Sequence, residues 1–508
     1  MFAIIPEKDH GKPECIEAKK KELDSFKEFQ VYDEVKDCGQ ERLSSRWVIT
    51  DKSTPSEKKT KARLVCRGFE EQIQVRTDSP TGSKETLHML LSIAATKEWK
   101  IKSGDVKCAY LQGEKLDREV FMEPPLEEKK ENTIWKLNKA VYGLNDGGRR
   151  WFLKIKETLQ NLGCTQSKLD HCLFMCHIDN RLVGLLLMWV DDIFYTGTDE
   201  FENKVMKKIN EEFLIGRTEE ETFTYIGLAI DTVSDGITLD QTRYIHEKLE
   251  PALLRNGDAK RQLDKDECKL LRRLVGKINW TATQTRPDVS FSVVELSTKF
   301  KNPQLEDLKK ANKVISKLLT TPTKVLFPKL VGQLKIITFS DAAFRNLPDQ
   351  ISSGRGHIVF LAGENGKVAP LGWNSNKIKR VVGSTLAAET LSLRSALDHA
   401  YFLRAILAEI LQENMLKIPI ISVIDSNNLL EASLSTKFVE DKKLRLDIAQ
   451  IQESLSTENV TLQWIETASM LADSLTKNGV NSDLLLNVLS TGNLSSEIQK
   501  RENGVSRS

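Results

Sequence analysis

Leu185-Leu186-Leu187-Met188-Trp189-Val190-Asp191-Asp192 is the stretch on which the reading of this chain turns. Six apolar residues run straight into a pair of acids. The segment from Leu182 to Val190 is too short and too apolar for an exposed helix, so it predicts a buried strand. Asp191-Asp192 then makes the turn, and Ile193 to Thr196 returns. Upstream, Gly104-Asp105-Val106-Lys107-Cys108-Ala109-Tyr110 sets a third acid, Asp105, in a strand predicted over Lys100 to Val106. Three carboxylates so placed suit two-metal phosphoryl transfer, in which fixed anionic oxygens hold two ions about 3.5–4 Å apart. Mg²⁺ takes one or two carboxylates plus substrate phosphates rather than an all-protein cage. The pattern points to nucleotide polymerisation.

Around this hairpin the periodicity predicts a helix over residues 14–30, with Ile16, Leu23, Phe26 and Phe29 as its apolar stripe. Arg46 to Ile49 and Ala62 to Cys66 read as a hairpin, joined by a charged loop from Asp51 to Thr60 that carries Pro55. Glu85 to Lys97, Trp151 to Leu162 and Glu200 to Phe213 read as helices, and Phe223 to Ile230 as one strand before a hairpin turn at Gly236. Residues 245–330 read as mostly helical, with Leu270 to Trp280 and Leu305 to Leu319 the clearest segments.

The texture then changes. Strands are predicted over Lys335 to Phe339, His357 to Leu361, Val368 to Trp373, Ile420 to Ile424 and Val460 to Ile465. Helices are predicted over Leu386 to Leu411, Leu444 to Leu455 and Ser469 to Lys477. Four acids hold telling positions: Asp341 just beyond a strand, Glu389 in the first turn of the long helix, Asp425 closing a strand, and Asp473 opening the last helix. Each alone has an ordinary explanation as a turn residue or a first-turn charge. Together they can converge, because strand ends and helix starts meet at one edge of such a sheet. That makes a second two-metal site, suited to cleaving a phosphodiester. The tail from Gly479 onward, rich in Ser and Asn, is expected to be peripheral and frayed.

The 508 residues suggest about two to four domains. With 40% hydrophobic and 29% charged residues the chain is not broadly disordered. A net charge of +2 provides no global basic field, so nucleic-acid contacts would fall to local patches: Lys58-Lys59, Lys61, Arg63 and Arg67; Arg149-Arg150; Lys377, Lys379 and Arg380. The N-terminus lacks a signal-peptide apolar region, and no apolar stretch reaches the roughly 20 residues needed to cross a bilayer. The expectation is an intracellular, cytoplasmic protein with no membrane contact and with its eight scattered cysteines reduced. His171-Cys172 and Cys176-His177 invite a zinc reading, but their spacing does not match a zinc motif. They read as packed strand residues instead.

Ten segments in order resemble the reverse transcriptase–ribonuclease H part of a copia-type (Pseudoviridae-like) retrotransposon Pol polyprotein. They are Lys61-Ala-Arg-Leu-Val-Cys-Arg-Gly-Phe69, Ser79-Pro-Thr81, Asp105-Val-Lys-Cys-Ala-Tyr-Leu-Gln-Gly113, Val120-Phe-Met-Glu-Pro-Pro125, Val141-Tyr-Gly-Leu144, Val190-Asp-Asp192, Tyr225-Ile-Gly-Leu228, Thr285-Arg-Pro-Asp288, Leu386-Ala-Ala-Glu389 and Ala472-Asp-Ser-Leu-Thr-Lys477. The resemblance implies an α+β and α/β multidomain chain, a right-hand polymerase followed by a ribonuclease-H-like domain. Fingers and palm would span 1–245, a mostly helical thumb or connection 246–330, the nuclease 331–480 and a tail 481–508. It implies an RNA-directed DNA polymerase with a fused ribonuclease H, using Mg²⁺ or Mn²⁺ as two ions per active site. The partners would be an RNA template, a DNA primer, dNTPs and the RNA–DNA hybrid, in the cytoplasm within virus-like particles.

Carried over residue by residue, Asp105 and Asp191 would hold the polymerase metals with Asp192 beside them. Lys61 and Arg63 would meet the triphosphate, Tyr110 would be the steric gate against a 2′-hydroxyl, and Arg149 would be a further substrate-binding residue. Asp341, Glu389, Asp425 and Asp473 would be the nuclease tetrad and its metal ligands. Two segments depart from the pattern. Trp189 replaces the usual Tyr, and Asp146-Gly147-Gly148 stands where Gln, then Ala or Ser, then Pro is usual. An acid there is unhelpful to a triphosphate unless a metal or Arg149 offsets it, and paired glycines add flexibility. No protease, integrase or zinc-knuckle signature occurs in these residues. The alternative expectation is a truncated or inactive retrotransposon-derived relic that only binds nucleic acid.

Overall fold

The computed structural model describes residues 3–53, 58–255, 257–437 and 439–494, so Pro55 and the end of the tail lie outside the described residues. At the centre is a six-stranded antiparallel sheet. Its order is Ile215–Glu220, Lys100–Val106, Asp192–Gly197, Arg181–Trp189, Leu173–Ile178, Cys164–Gln166. The predicted strand around Leu185 is buried there, and helices Lys84–Lys97 and Gly147–Asn161 pack into the same core. The second helix begins at Gly147, four residues before the expected start, so the glycine pair opens a helix rather than loosening a loop.

The hairpin Ser45–Asp51 and Thr60–Cys66 stands apart, backed by helix Pro13–Glu28. That helix buries the expected Leu23 and Phe26, and Phe29 packs partly buried on the same core; Ile16 alone departs, being exposed while Cys15 and Ala18 are buried in the first turns. The single strand expected over 223–230 is a hairpin, Thr222–Tyr225 and Leu228–Val233. Its turn, Ile226-Gly227, has positive φ at both residues, the demand of a tight primed hairpin turn. Gly236–Asp240 and Val325–Pro328 complete this four-stranded sheet. The last of these is a strand in a segment expected to be helical. Between them, helices Lys265–Gln284, Ser290–Thr298 and Leu305–Thr320 enclose their own core. Asp264 starts the first with a capping box to Glu267.

The C-terminal sheet has the order Val368–Lys377, Gly354–Ala362, Lys335–Ala343, Ile420–Ile424, Val460–Trp464. Its first three strands are antiparallel and the remaining two join in parallel, crossed by helix Thr385–Leu411. This is a ribonuclease-H-like layout. Helix Asn427–Leu434 was not expected. Nor is the tail wholly frayed: helix Asp483–Thr491 buries Leu485, Val488 and Leu489 and packs on Val325–Pro328. In place of a helix over 469–477 there are two short 3₁₀ turns, Thr467–Ser469 and Asp473–Leu475.

The expectation of wholly reduced thiols is also corrected. Pairing of Cys164–Gln166 with Leu173–Ile178 sets Cys164 directly opposite Cys176, and the two form a disulfide across a Cα separation of 4.4 Å. This consumes one of the supposed zinc ligands, and His177 meets the Ile410 carbonyl at 2.9 Å instead. No described helix is long and apolar enough to cross a membrane.

The polymerase-like and nuclease-like halves are packed together. Helix Lys84–Lys97 lies on strand Val368–Lys377, with the His88 ring 3.1 Å from the Leu371 carbonyl. Burial pushes His88 down to about 3, so it is neutral. The Trp373 indole donates to the Ala282 carbonyl at 2.8 Å. One apolar core runs through both halves.

Candidate active sites

In the first site the acids ride on paired strands. Asp105 lies directly opposite Asp192, so both side chains leave the same face of the sheet. Trp189 pairs with Asp192, which leaves Val190-Asp191 as a two-residue turn; Asp192 belongs to the returning strand rather than to the turn. Val190 has φ +61, a strained conformation for a β-branched residue. Two hydrogen bonds hold it: the Trp151 indole donates to the Val190 carbonyl at 2.7 Å, and the Val106 amide donates to the Asp191 carbonyl at 2.9 Å. Burial raises the Asp191 carboxyl above its ordinary range, and the charge of Asp105 adds to it. Asp192 is pushed up to about 6 by burial, then by Asp191 and Asp105. Asp191 and Asp192 thus offer partly desolvated hard oxygens of the kind a divalent cation takes, with the exposed Asp105 beside them.

Facing the acids, Arg63 and Lys61 on strand Thr60–Cys66 lower the Asp191 carboxyl by their charge. Lys52 does the same to Asp192. Sequence reasoning missed Lys52; its place just past the end of strand Ser45–Asp51, two residues beyond Thr50, which pairs with Lys61, was the available signal. A cavity of 280 Å³ is lined by Arg63, Ala109, Tyr110, Tyr142, Val190 and Asp191. Tyr110 sits in the 3₁₀ turn Ala109–Gln112, its ring 5.5 Å from that of Tyr142. A Cβ built on Gly148 would stand 3.6 Å from the Tyr110 hydroxyl, so the glycine pair borders the tyrosine.

Arg149 does not line this cavity; it pairs with Asp78 at 2.8 Å. Asp146 turns away from it as well. It is 3% exposed and is gripped by Arg118 at 2.7 Å and Arg150 at 2.6 Å. Burial would raise its carboxyl, but the two guanidinium groups hold it below the usual range. The expected conflict between Asp146 and a triphosphate is therefore absent, and the offsetting cations are Arg118 and Arg150 rather than Arg149. Asp146→Ala is expected to destabilise the fold by about 3 kcal/mol in a denaturant titration, because it removes the shared partner of two largely buried cations. Thr285-Arg-Pro-Asp288 proves structural: the wholly buried Arg286 pairs with Asp288 at 2.8 Å.

In the second site Asp341 lies within strand Lys335–Ala343, opposite Gly356, and not beyond its end. The neighbouring strand pairs Val423 with Phe339 in parallel, and two more residues along bring Asp425 level with Asp341. Asp473 arrives on its short turn because Gly356 has no side chain: a Cβ there would stand 2.5 Å from Leu475. Asp341, Asp425 and Asp473 each present a carboxylate oxygen within 4.8 Å of the others. Among the described residues no other trio of acids, cysteines or histidines closes to that spacing, the Asp105, Asp191 and Asp192 trio included.

Glu389 lies one turn into its helix, not in the first turn. It stands outside this trio, yet burial and then the charges of Asp341 and Asp425 push it up to about 9. Burial pushes Asp341 up to about 6. Ser392 donates to the Asp341 carbonyl at 2.7 Å and ties the helix to the strand. Lys477 reaches Asp473 at 2.8 Å and Asp341 at 3.3 Å. Burial opposes its charge, but the two acids hold the ammonium above the ordinary lysine range. Sequence reasoning gave Lys477 no place in the site, although an ion pair four residues after Asp473 was readable.

A family described as reverse transcriptase (RNA-dependent DNA polymerase) matches residues 29–262. The chain is 27% identical over 456 residues to the retrovirus-related Pol polyprotein from transposon RE1 of Arabidopsis thaliana, covering 86% of this chain and 30% of that protein. It is 24% identical over 506 residues to the Pol polyprotein from transposon TNT 1-94 of Nicotiana tabacum, covering 92% and 37% respectively. The chain thus spans about a third of the length of the curated relatives it matches. Among solved structures, a foamy viral protease-reverse transcriptase in complex with double-stranded DNA superposes with a TM-score of 0.54 at 13% identity, covering 92% of this chain and 72% of that one. That likeness extends the fold across both halves. Residues 29–262 thus match the reverse transcriptase family, and the chain as a whole is similar to the retrovirus-related Pol polyproteins of these plant transposons.

Proposed function

We propose that this chain is an RNA-directed DNA polymerase with a fused ribonuclease H. The observation that carries the reading is the pair of separate carboxylate centres on one chain, one on the hairpin of a reverse transcriptase domain and one on a ribonuclease-H-like sheet. In this reading residues 1–245 are fingers and palm, 246–330 the thumb or connection, and 331–480 the nuclease. Strand Val325–Pro328 and helix Asp483–Thr491 tie these parts together.

Asp105 and Asp191, with Asp192 beside them, would hold two Mg²⁺ or Mn²⁺ ions; Asp341, Glu389, Asp425 and Asp473 would hold two more. Such ions, when bound, stabilise charge on the attacking and leaving oxygens of a phosphoryl transfer. Arg63, Lys61 and Lys52 draw the triphosphate of a dNTP toward Asp191, a planar guanidinium matching phosphate oxygens. Arg149 steadies the neighbouring segment through Asp78. An RNA template paired to a DNA primer lies over the first centre, and the hybrid reaches the second, where its A-like shape and 2′-hydroxyls are recognised rather than its sequence. The rival reading, a relic that only grips nucleic acid, rested on Asp146-Gly147-Gly148. Pairing of Asp146 with Arg118 and Arg150 removes that support.

Primer extension on an RNA template with Mg²⁺ and with Mn²⁺ tests the proposal. Extension with dNTPs, together with loss of the RNA strand, is expected; a folded chain that does neither overturns it. Tyr110→Ala is expected to admit ribonucleotides, with the ratio of dNTP to rNTP kcat/KM falling by about tenfold or more, since a packed ring excludes one added hydroxyl by at least about 1.4 kcal/mol. An unchanged ratio rejects Tyr110 as the gate.

A further inference from the structure

Thr476 and Lys477 close the segment Ala472-Asp473-Ser474-Leu475-Thr476-Lys477, and polymerisation and cleavage as read above assign them nothing. Both side chains turn back on the acids. Lys477 Nζ lies 2.8 Å from Asp473 Oδ1 and 3.3 Å from Asp341 Oδ2, and the Thr476 hydroxyl donates to that same Asp341 oxygen. The ammonium stands against two of the three carboxylates that gather within 4.8 Å. Asp341 is 2% exposed, and buried like charges without a counter-charge are costly.

The other side of Lys477 is open. With Lys310, Lys313, Lys317, Glu295 and Asp288 it lines a cavity of 590 Å³ between helices Ser290–Thr298 and Leu305–Thr320 and residues 474–480, in which Lys310 pairs with Glu295 at 3.1 Å and Lys317 with Asp288 at 2.7 Å. The three helix lysines fall at spacings of three and four, on one helix face. A lysine on its flexible four-carbon stem is a point charge able to serve either a carboxylate or a phosphate.

We propose that Lys477 is an exchangeable counter-ion of the nuclease centre. It bridges Asp341 and Asp473 while no divalent cation is bound. When one binds, the ammonium moves into the lysine-lined cavity and there contacts a backbone phosphate of the nucleic-acid strand. This rests on the nuclease reading above. Lys477 and a divalent cation compete for the same oxygens, so a strand phosphate that holds the lysine away favours metal loading. Substrate grip and metal occupancy then reinforce one another by linkage.

The test is Mn²⁺ binding to the full chain, without nucleic acid and at low salt, followed by electron paramagnetic resonance. Asp425→Asn marks which binding event belongs to this centre. Lys477→Met is expected to bind Mn²⁺ there about tenfold tighter than wild type, or more, which is about 1.4 kcal/mol. Lys477→Arg is expected to stay near wild type, and the gain is expected to shrink as KCl is added. Equal or weaker Mn²⁺ binding by Lys477→Met overturns the proposal and leaves the nuclease reading standing. If wild type shows no binding event that Asp425→Asn removes, the nuclease reading falls and the counter-ion role with it. A second measurement needs no variant. Acylation of wild-type lysines with an N-hydroxysuccinimide ester, read by mass spectrometry, is expected to label Lys477 faster once Mg²⁺ is added, relative to the remote, exposed Lys269. Unchanged or slower labelling overturns the proposal.

Discussion

Asp191→Asn is expected to lower primer extension on an RNA template by about 10³-fold or more, the scale on which removal of one charge-stabilising group acts in a preorganised site. Cleavage of a preformed hybrid should continue at the wild-type rate. The substitution is isosteric, and what fixes the turn is backbone: the Val190 carbonyl is held by Trp151 and the Asp191 carbonyl by Val106. The fold should therefore survive while the anionic oxygen is lost. Repulsion against Asp105 falls too, so the metal-free variant should melt no lower than wild type. Gel-based extension and hybrid-cleavage assays on one preparation read both outcomes. Loss of both activities in a folded variant would refute independent centres.

Asp425→Asn should give the mirror result: hybrid cleavage falls by about 10³-fold or more, and extension is retained. Asp425 accepts from the Thr467 hydroxyl at 2.8 Å, a bond that the asparagine carbonyl can keep, and its backbone carbonyl accepts from the Trp464 indole at 2.9 Å. Its charge is one of those that raise Asp341 and Glu389. Thermal melting without metal separates the two effects, since neutralising Asp425 should hold or raise the midpoint while activity disappears. Retained cleavage would show that this carboxylate is not needed at the centre.

What was legible in the sequence were the elements with a strong period and a fixed end. Strand Lys100–Val106 falls where expected, and the apolar run ahead of Asp191 is buried in mid-sheet. The helix expected from Leu386 begins one residue earlier, capped by Ser384. What was not legible depended on partners distant in the chain. Val325–Pro328 is a strand only because Gly236–Asp240 offers an edge. Helix Asp483–Thr491 persists because that strand receives its leucines. The Cys164–Cys176 bond follows from strand register, which spacing alone does not give. The site divides in the same way. The acids were readable from motif and order, and so were the neighbouring pairs Asp146–Arg150 and Asp473–Lys477; the distant partners were not, Arg118 standing 28 residues from Asp146 and Asp341 lying 136 residues upstream of Lys477.

His88, Leu371, Trp373 and Ala282 sit at a seam where neither side presents a finished surface. A gene fragment ending near residue 330 would leave helix Lys84–Lys97 bare along one flank, and a fragment starting there would strip strand Val368–Lys377 of its cover. Under the proposed function, the interval between the two carboxylate centres is set by this packed seam rather than by a tether.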